Sequence, residues 1–154
     1  KHPEYAFISC PMIYFDTDGD YRIGRAKAEP TKIDFTRNTP FCHAPVLMRR
    51  NALEVIGRYT AEPKTERIED YYLWHKFYCK GYRGYNLQEP LYKMRNGRDA
   101  FARRKFLDRW RGYKVTTEVC RNLGFSYPWV YGIPAFLKAF VPSFLVRIIK
   151  TKLR

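Results

Sequence analysis

An α/β fold is predicted by three features of the chain. Short runs rich in aromatic and β-branched residues, such as YAFISCPMIYF at 5–15, read as strands. A helical period of apolar residues recurs elsewhere, most clearly over 69–80, and turn signals such as Asp18-Gly19 separate the elements. With 154 residues, 45% of them hydrophobic, the chain can bury one core without disulfide or metal staples.

Taken in order, the 5–15 run is expected to form a strand, with DTDG at 16–19 turning it into a hairpin completed by DYRIGRA. The stretch at 26–40 is polar, carries two prolines and reads as a connection with room for one helical turn. FCHAPVLMRR, 41–50, fits a buried strand ending in two arginines. Asn51 is the expected N-cap of a short helix bearing Leu53, Val55, Ile56 and Tyr59, and Gly57 weakens its end. The helix from Glu69 to Lys80 places Leu73, Trp74, Phe77 and Tyr78 on one face, with Gly81 where a left-handed cap belongs. YRGYNLQEPLYKMR, 82–95, reads as one strand bent at Pro90, because proline interrupts a ladder. A basic helix is expected from about Asp99 to Leu123, stopped by Gly124.

From 125 onward the pattern changes, and a boundary at 124/125 is expected. Phe136, Leu137, Phe140, Val141, Phe144, Leu145, Ile148 and Ile149 form an apolar stripe, with Lys138, Arg147, Lys150, Lys152 and Arg154 off it. A basic amphipathic helix of this kind suits the interface of an anionic membrane, or docking on a protein core. Spanning is disfavoured by Pro134, Lys138 and Pro142.

Twenty-nine Lys and Arg against 15 acids give +14, so an anionic partner is expected: nucleic acid, acidic headgroups or diphosphates. Cys10, Cys42, Cys79 and Cys120 lie more than thirty residues apart without zinc-ligand spacing, which reads as reduced thiols. The opening Lys-His-Pro-Glu shows no leader pattern.

Two adjacent carboxylates, Glu69 and Asp70, head the patterned helix. A helix N-terminus alone favours acids, by about 0.3–1 kcal/mol. An acid at a strand–helix junction, flanked by aromatic and basic residues, also suits a general base. Consecutive helical positions point about 100° apart, so the two acids cannot share one task. Asp16-Thr17-Asp18 reads as a hairpin turn, and an EF-hand is excluded because Tyr21 stands where glycine is required and Lys27 where the bidentate glutamate belongs.

HAPVLMRRNALEVIGRY, 43–59, followed by EDYYLWHKFYCKGYRGYNLQEPLYKMR, 69–95, resembles the second half of a bacterial family 2 glycosyltransferase of the capsule or cell-wall polysaccharide type. The resemblance implies a partial GT-A (Rossmann-like) domain over 1–124, its acceptor-side half, followed by C-terminal amphipathic helices over 125–154. It also implies inverting transfer from a nucleotide-sugar donor to a lipid-linked or saccharide acceptor, at the cytoplasmic face of the bacterial membrane. Asp70 matches the catalytic base and Glu69 its companion. His43 and Trp74 are candidate acceptor contacts, although a packed histidine and a core tryptophan fit the same positions. Arg95, Arg103 and Arg104 are candidates for the diphosphate, with a solvated basic face as the alternative. Arg49 and Arg50 fit either an internal carboxylate partner or the edge of the site. A divalent metal, Mn or Mg, is implied, but its Asp-x-Asp is expected upstream of Lys1, so no metal ligand is expected in this chain. DRWRG at 108–112 lacks the glutamine that precedes the processive signature. The competing class is a non-catalytic basic module for membrane or nucleic acid. Nucleic acid is not expected, since no RRM, KH or zinc-finger pattern can be read and the aromatics fall on apolar faces.

Overall fold

The computed structural model describes residues 2–37, 39–95 and 106–137. The fold is mixed α/β, with two small sheets, four α-helices and two short 3-10 turns among the described residues. The opening strand is divided: β1 (Tyr5–Ser9) and β2 (Met12–Asp16) are separated by Cys10-Pro11, where proline has no N–H to give a ladder. A second divided strand, β5 (Arg83–Asn86) and β6 (Tyr92–Arg95), runs parallel to the first. Ile8 pairs with Tyr85 and Ser9 with Asn86 in one sheet, Ile13 with Lys93 and Phe15 with Arg95 in the other. The bend expected at Pro90 is thus a five-residue interruption, Leu87 to Leu91. Antiparallel strands complete the sheets: β3 (Gly19–Ile23) beside β2, and β4 (Leu47–Met48) beside β1.

The predicted hairpin forms, with Thr17 and Asp18 as its loop, Gly19 at a φ of 110°, and the Asp18 N–H donating to Asp16 Oδ1 at 2.9 Å. FCHAPVLMRR is not a buried strand. Only two residues pair, at a sheet edge where Leu47 is 70% exposed, because the preceding segment turns through Ala44-Pro45. The following helix, α1 (Arg50–Val55), begins one residue before the expected Asn51 cap. Arg49 occupies the cap position, and its guanidinium ties back to β1, donating to Tyr5 O at 2.8 Å and His2 O at 3.0 Å. Arg49 therefore anchors backbone instead of lining a site.

Helix α2 (Glu69–Cys79) carries the core. Its Trp74 and Phe77 pack on Phe7 of β1 with ring centroids 4.8 Å away, and Phe41 meets Phe7 at 4.7 Å. Gly84 makes this possible: a Cβ there would stand 2.3 Å from the Phe7 ring. Two further α2 hydroxyls satisfy carbonyls of the 26–40 connection, Tyr78 donating to Pro30 O and Tyr71 to Phe35 O, both at 2.7 Å. That connection holds the expected single helical turn, Lys32–Thr36. Gly81 takes its left-handed cap at a φ of 79°.

The opposite face of α2 is covered by α3 (Phe106–Asn122), which contributes Val115 and Val119. Between them, Glu118 accepts from Tyr72 Oη at 2.6 Å and from Lys64 Nζ at 3.0 Å. Burial pulls the Glu118 carboxyl up, but those two donors outweigh it and hold the group below its ordinary range. The expected start of this helix before Phe106 lies outside the described residues. Helix α4 (Pro128–Leu137) folds back on α3, so closely that a Cβ at Gly132 would stand 2.8 Å from Tyr113 O. The sequence stripe beyond Leu137 also lies outside the described residues.

Candidate active site

Asp70 sits in the first turn of α2, partly buried, while its neighbour Glu69 is exposed. The two acids divide as the 100° step requires. One Asp70 oxygen, Oδ1, accepts the N–H of Tyr71 at 2.7 Å. A carboxylate has a second oxygen and further lone pairs, so this local bond does not exhaust its capacity as an acceptor. Burial raises the Asp70 carboxyl above the ordinary range; the Tyr71 N–H opposes this, the Glu69 charge adds to it, and His43 opposes it.

Three residues from other segments lie within electrostatic reach of that carboxylate. His43 is one. Tyr59 is another: burial first, then the charges of Asp70 and Glu69, push its hydroxyl up. Cys42 is the third, raised by burial, then by Cys10, against an opposing pull from Arg22, with Asp70 adding a smaller upward push. His43 and Tyr59 meet directly, Tyr59 Oη lying 3.4 Å from His43 Nε2 with the rings nearly perpendicular at 5.8 Å.

Each partner is braced from elsewhere in the fold. Ser9, the last residue of β1, donates its hydroxyl to Cys42 O at 2.7 Å. Asn86, the last residue of β5 and wholly buried, donates Nδ2 to Pro40 O at 3.1 Å and to Lys27 O at 2.8 Å. Together they hold the loop that presents His43. Lys76, two turns along α2 from Asp70, donates Nζ to Arg58 O at 2.6 Å and so fixes the turn carrying Tyr59. The loop before α2 is clamped to α3 by Arg111–Glu66 at 2.7 Å and Lys64–Glu118 at 3.0 Å.

Of the residues singled out from sequence, Asp70, Glu69 and His43 come together. Trp74 does not serve as a sugar platform: it is 0% exposed, and forms a floor whose ring lies 5.8 Å from that of His43. A ring with no exposed face has no room for a stacked sugar. Arg95 lies at the end of β6 in the second sheet, exposed, 5.6 Å from the Phe15 ring. Arg103 and Arg104 lie outside the described residues. Sequence reading missed Tyr59, which it assigned to a helical face, along with Ser9, Asn86, Lys76 and Arg22. A polar Asn within an otherwise strand-like run was the available signal for Asn86. A shallow cavity of about 380 Å³ lies apart from this cluster, lined among others by Tyr5, Glu29, Lys32, Tyr78 and Arg83. Among the described residues no group of three His, Cys, Asp or Glu is arranged to hold a metal.

Fold and cluster together define a mixed α/β chain with a partly buried acid in the first turn of its core helix. In sequence the chain is 34% identical over 144 residues to EpsE of Bacillus subtilis, named as a glycosyltransferase, covering 93% of this chain and 52% of that protein. It is 31% identical over 107 residues to AmsE of Erwinia amylovora, named as an amylovoran biosynthesis glycosyltransferase, covering 68% of this chain and 39% of that protein. These names support a glycosyltransferase family for the chain. The chain spans about half the length of the first relative and less of the second. No protein-family model matches it, and no solved structure does.

Proposed function

We propose that the chain is the acceptor-side part of an inverting glycosyltransferase in which Asp70 is the general base. A single observation carries the reading: a partly buried carboxylate, raised by that burial, lies within electrostatic reach of His43 and Tyr59, which meet each other on a braced scaffold. A base works best when its pKa approaches the operating pH, and burial moves Asp70 in that direction. The Asp70 carboxylate takes the proton of an acceptor hydroxyl as that oxygen attacks the anomeric carbon of a nucleotide-sugar. The bond from the anomeric carbon to the diphosphate breaks on the opposite face, which inverts the centre. His43 and Tyr59, exposed beside the base, orient the acceptor, a lipid-linked or polysaccharide hydroxyl. Arg22, exposed on β3 and felt by Cys42, is one cation offered for meeting developing negative charge. The divalent metal implied by the resemblance finds no ligand set among the described residues.

The test is transfer by the complete protein with Asp70→Asn. Loss of transfer with nucleotide binding retained supports the role, and transfer at the wild-type rate removes it. Glu69→Gln is expected to be milder, since Glu69 is exposed.

A further inference from the structure

The cavity of about 380 Å³ lies at the far pole of the elements that carry and brace the Asp70 cluster. Tyr5 opens β1 and Arg83 opens β5, whereas Ser9 and Asn86, which hold the His43 loop, close those strands. Four residue steps along a strand rise about 13 Å. Tyr78 stands eight residues along α2 from Asp70, about 12 Å by helical rise. A sugar-sized molecule held here is out of contact with Asp70, so the cavity is a separate site. Its rim is fixed in advance. Tyr78 Oη donates to Pro30 O at 2.7 Å, and Asp34 Oδ2 accepts from the Thr31 N–H at 2.7 Å, the Thr31 hydroxyl at 3.0 Å and Lys27 Nζ at 2.9 Å. These bonds set Glu29 and Lys32, on either side of Pro30-Thr31, at the cavity edge. After α2, the left-handed Gly81 turns the chain and the Tyr82 N–H donates to Phe77 O at 3.0 Å, which brings Tyr82 and Arg83 to the same space.

The lining is chemically mixed. Lys32 and Arg83 are exposed and form no ion pair among the described residues, in contrast with Lys27, Lys64, Lys93 and Arg111. Glu29 reaches the Tyr5 hydroxyl: burial first, then the hydrogen bond and charge of Glu29, raise that phenol above its ordinary range. Tyr5 and Tyr82 are half-buried and form part of the cavity wall. A phosphate pocket collects donors, and the Glu29 carboxylate would repel a phosphate. A purely apolar ligand would leave three charged groups at the mouth without partners. Sugar hydroxyls both donate and accept, so they suit a carboxylate set beside cations, and tyrosine rings cover the apolar face of a sugar ring. Two cations against one carboxylate leave a positive charge in excess, and Arg83 can meet an acid group with two parallel hydrogen bonds. We propose that this cavity is a second binding site, for an acidic saccharide, with hydroxyls on Glu29, the carboxylate on Arg83 and Lys32, and the ring against Tyr5 and Tyr82. Its volume falls at the lower end of the roughly 300–1,000 Å³ of small-molecule sites. Binding here tethers a glycan without occupying the Asp70 cluster.

Isothermal titration of the complete protein with trigalacturonic acid, maltotriose and inorganic phosphate, in the absence of nucleotide-sugar, tests this without any transfer assay. The acidic trisaccharide is expected to give a saturable heat, and maltotriose to bind at least about tenfold more weakly. Arg83→Gln is expected to weaken the acidic trisaccharide about tenfold or more at an unchanged melting temperature. No saturable heat from trigalacturonic acid, or equal affinity in wild type and Arg83→Gln, overturns the proposal. Phosphate bound as tightly as the trisaccharide overturns it in favour of a plain anion site, and maltotriose bound as tightly overturns the acidic class. Should Arg83→Gln unfold, amide resonances of the ¹⁵N-labelled wild type decide. Shifts at Gly81 and Gly84 on adding trigalacturonic acid support the site, and shifts confined to the His43 loop and the start of α2 overturn it.

Discussion

The start of α2 and the α3–α4 pair use the same residue types to opposite ends. Around α2, Trp74 and Phe77 are closed between Phe7, Phe41 and Val119, and no part of either ring reaches solvent. On α4, Trp129 and its neighbours face outward. The first region spends its aromatics on a rigid bed beneath one carboxylate and the loops beside it. The second packs one face on α3 and leaves the other available. Burial of an aromatic is thus a property of what stands opposite it, and the polar groups differ accordingly. Near α2 they are tied to named carbonyls, as with Lys76 and Asn86, whereas α4 carries no charged side chain.

The sharpest way to break this contrast is at the carboxylate. Asp70→Asn is expected to reduce transfer by about 10²–10⁴-fold, read as kcat/KM in the complete protein. The same substitution is expected to raise thermal stability at neutral pH. Because burial raises the Asp70 carboxyl in the folded state, its contribution is fully present below the ordinary carboxylate range and is lost as pH rises through the raised value. Melting temperatures across pH should therefore show the Asn variant gaining on wild type as pH rises, and the two converging in acid. Next in size, Trp74→Ala should cost about 3–5 kcal/mol in denaturant unfolding, since it empties the floor beneath His43. Tyr72→Phe, which removes the short hydrogen bond to Glu118, should cost about 1 kcal/mol by the same measurement. Smallest is Trp129→Ser, expected to change unfolding free energy by no more than about 0.5 kcal/mol. A large loss there would place Trp129 in the core and erase the distinction between the two helices.

Helix α2 was legible because four apolar residues at helical spacing and Gly81 agree with one another. The hairpin was legible from its turn residues, and the different exposure of Glu69 and Asp70 from helical geometry. The short strand around Leu47 was not, since an apolar run reads alike whether it is central or at an edge. Nor was the cluster around Asp70, because His43, Tyr59 and Asp70 come from three separate segments whose meeting depends on hydrogen bonds from Ser9, Asn86 and Lys76. Sequence also offered Trp74 as a surface for sugar, where the fold had already enclosed it.

Local chemistry along the chain determined the helix of 69–80, the hairpin turn, the bend at Pro90 and a net positive charge, although the division at Pro11 went unread. These follow from neighbours a few residues apart, which periodicity and proline geometry report directly. Tertiary structure alone decided which acid is partly dehydrated, which loops stand beside it, and which face of α4 is left without cover. Those outcomes depend on contacts between residues far apart in the chain, and no local pattern encodes the distance across which they meet.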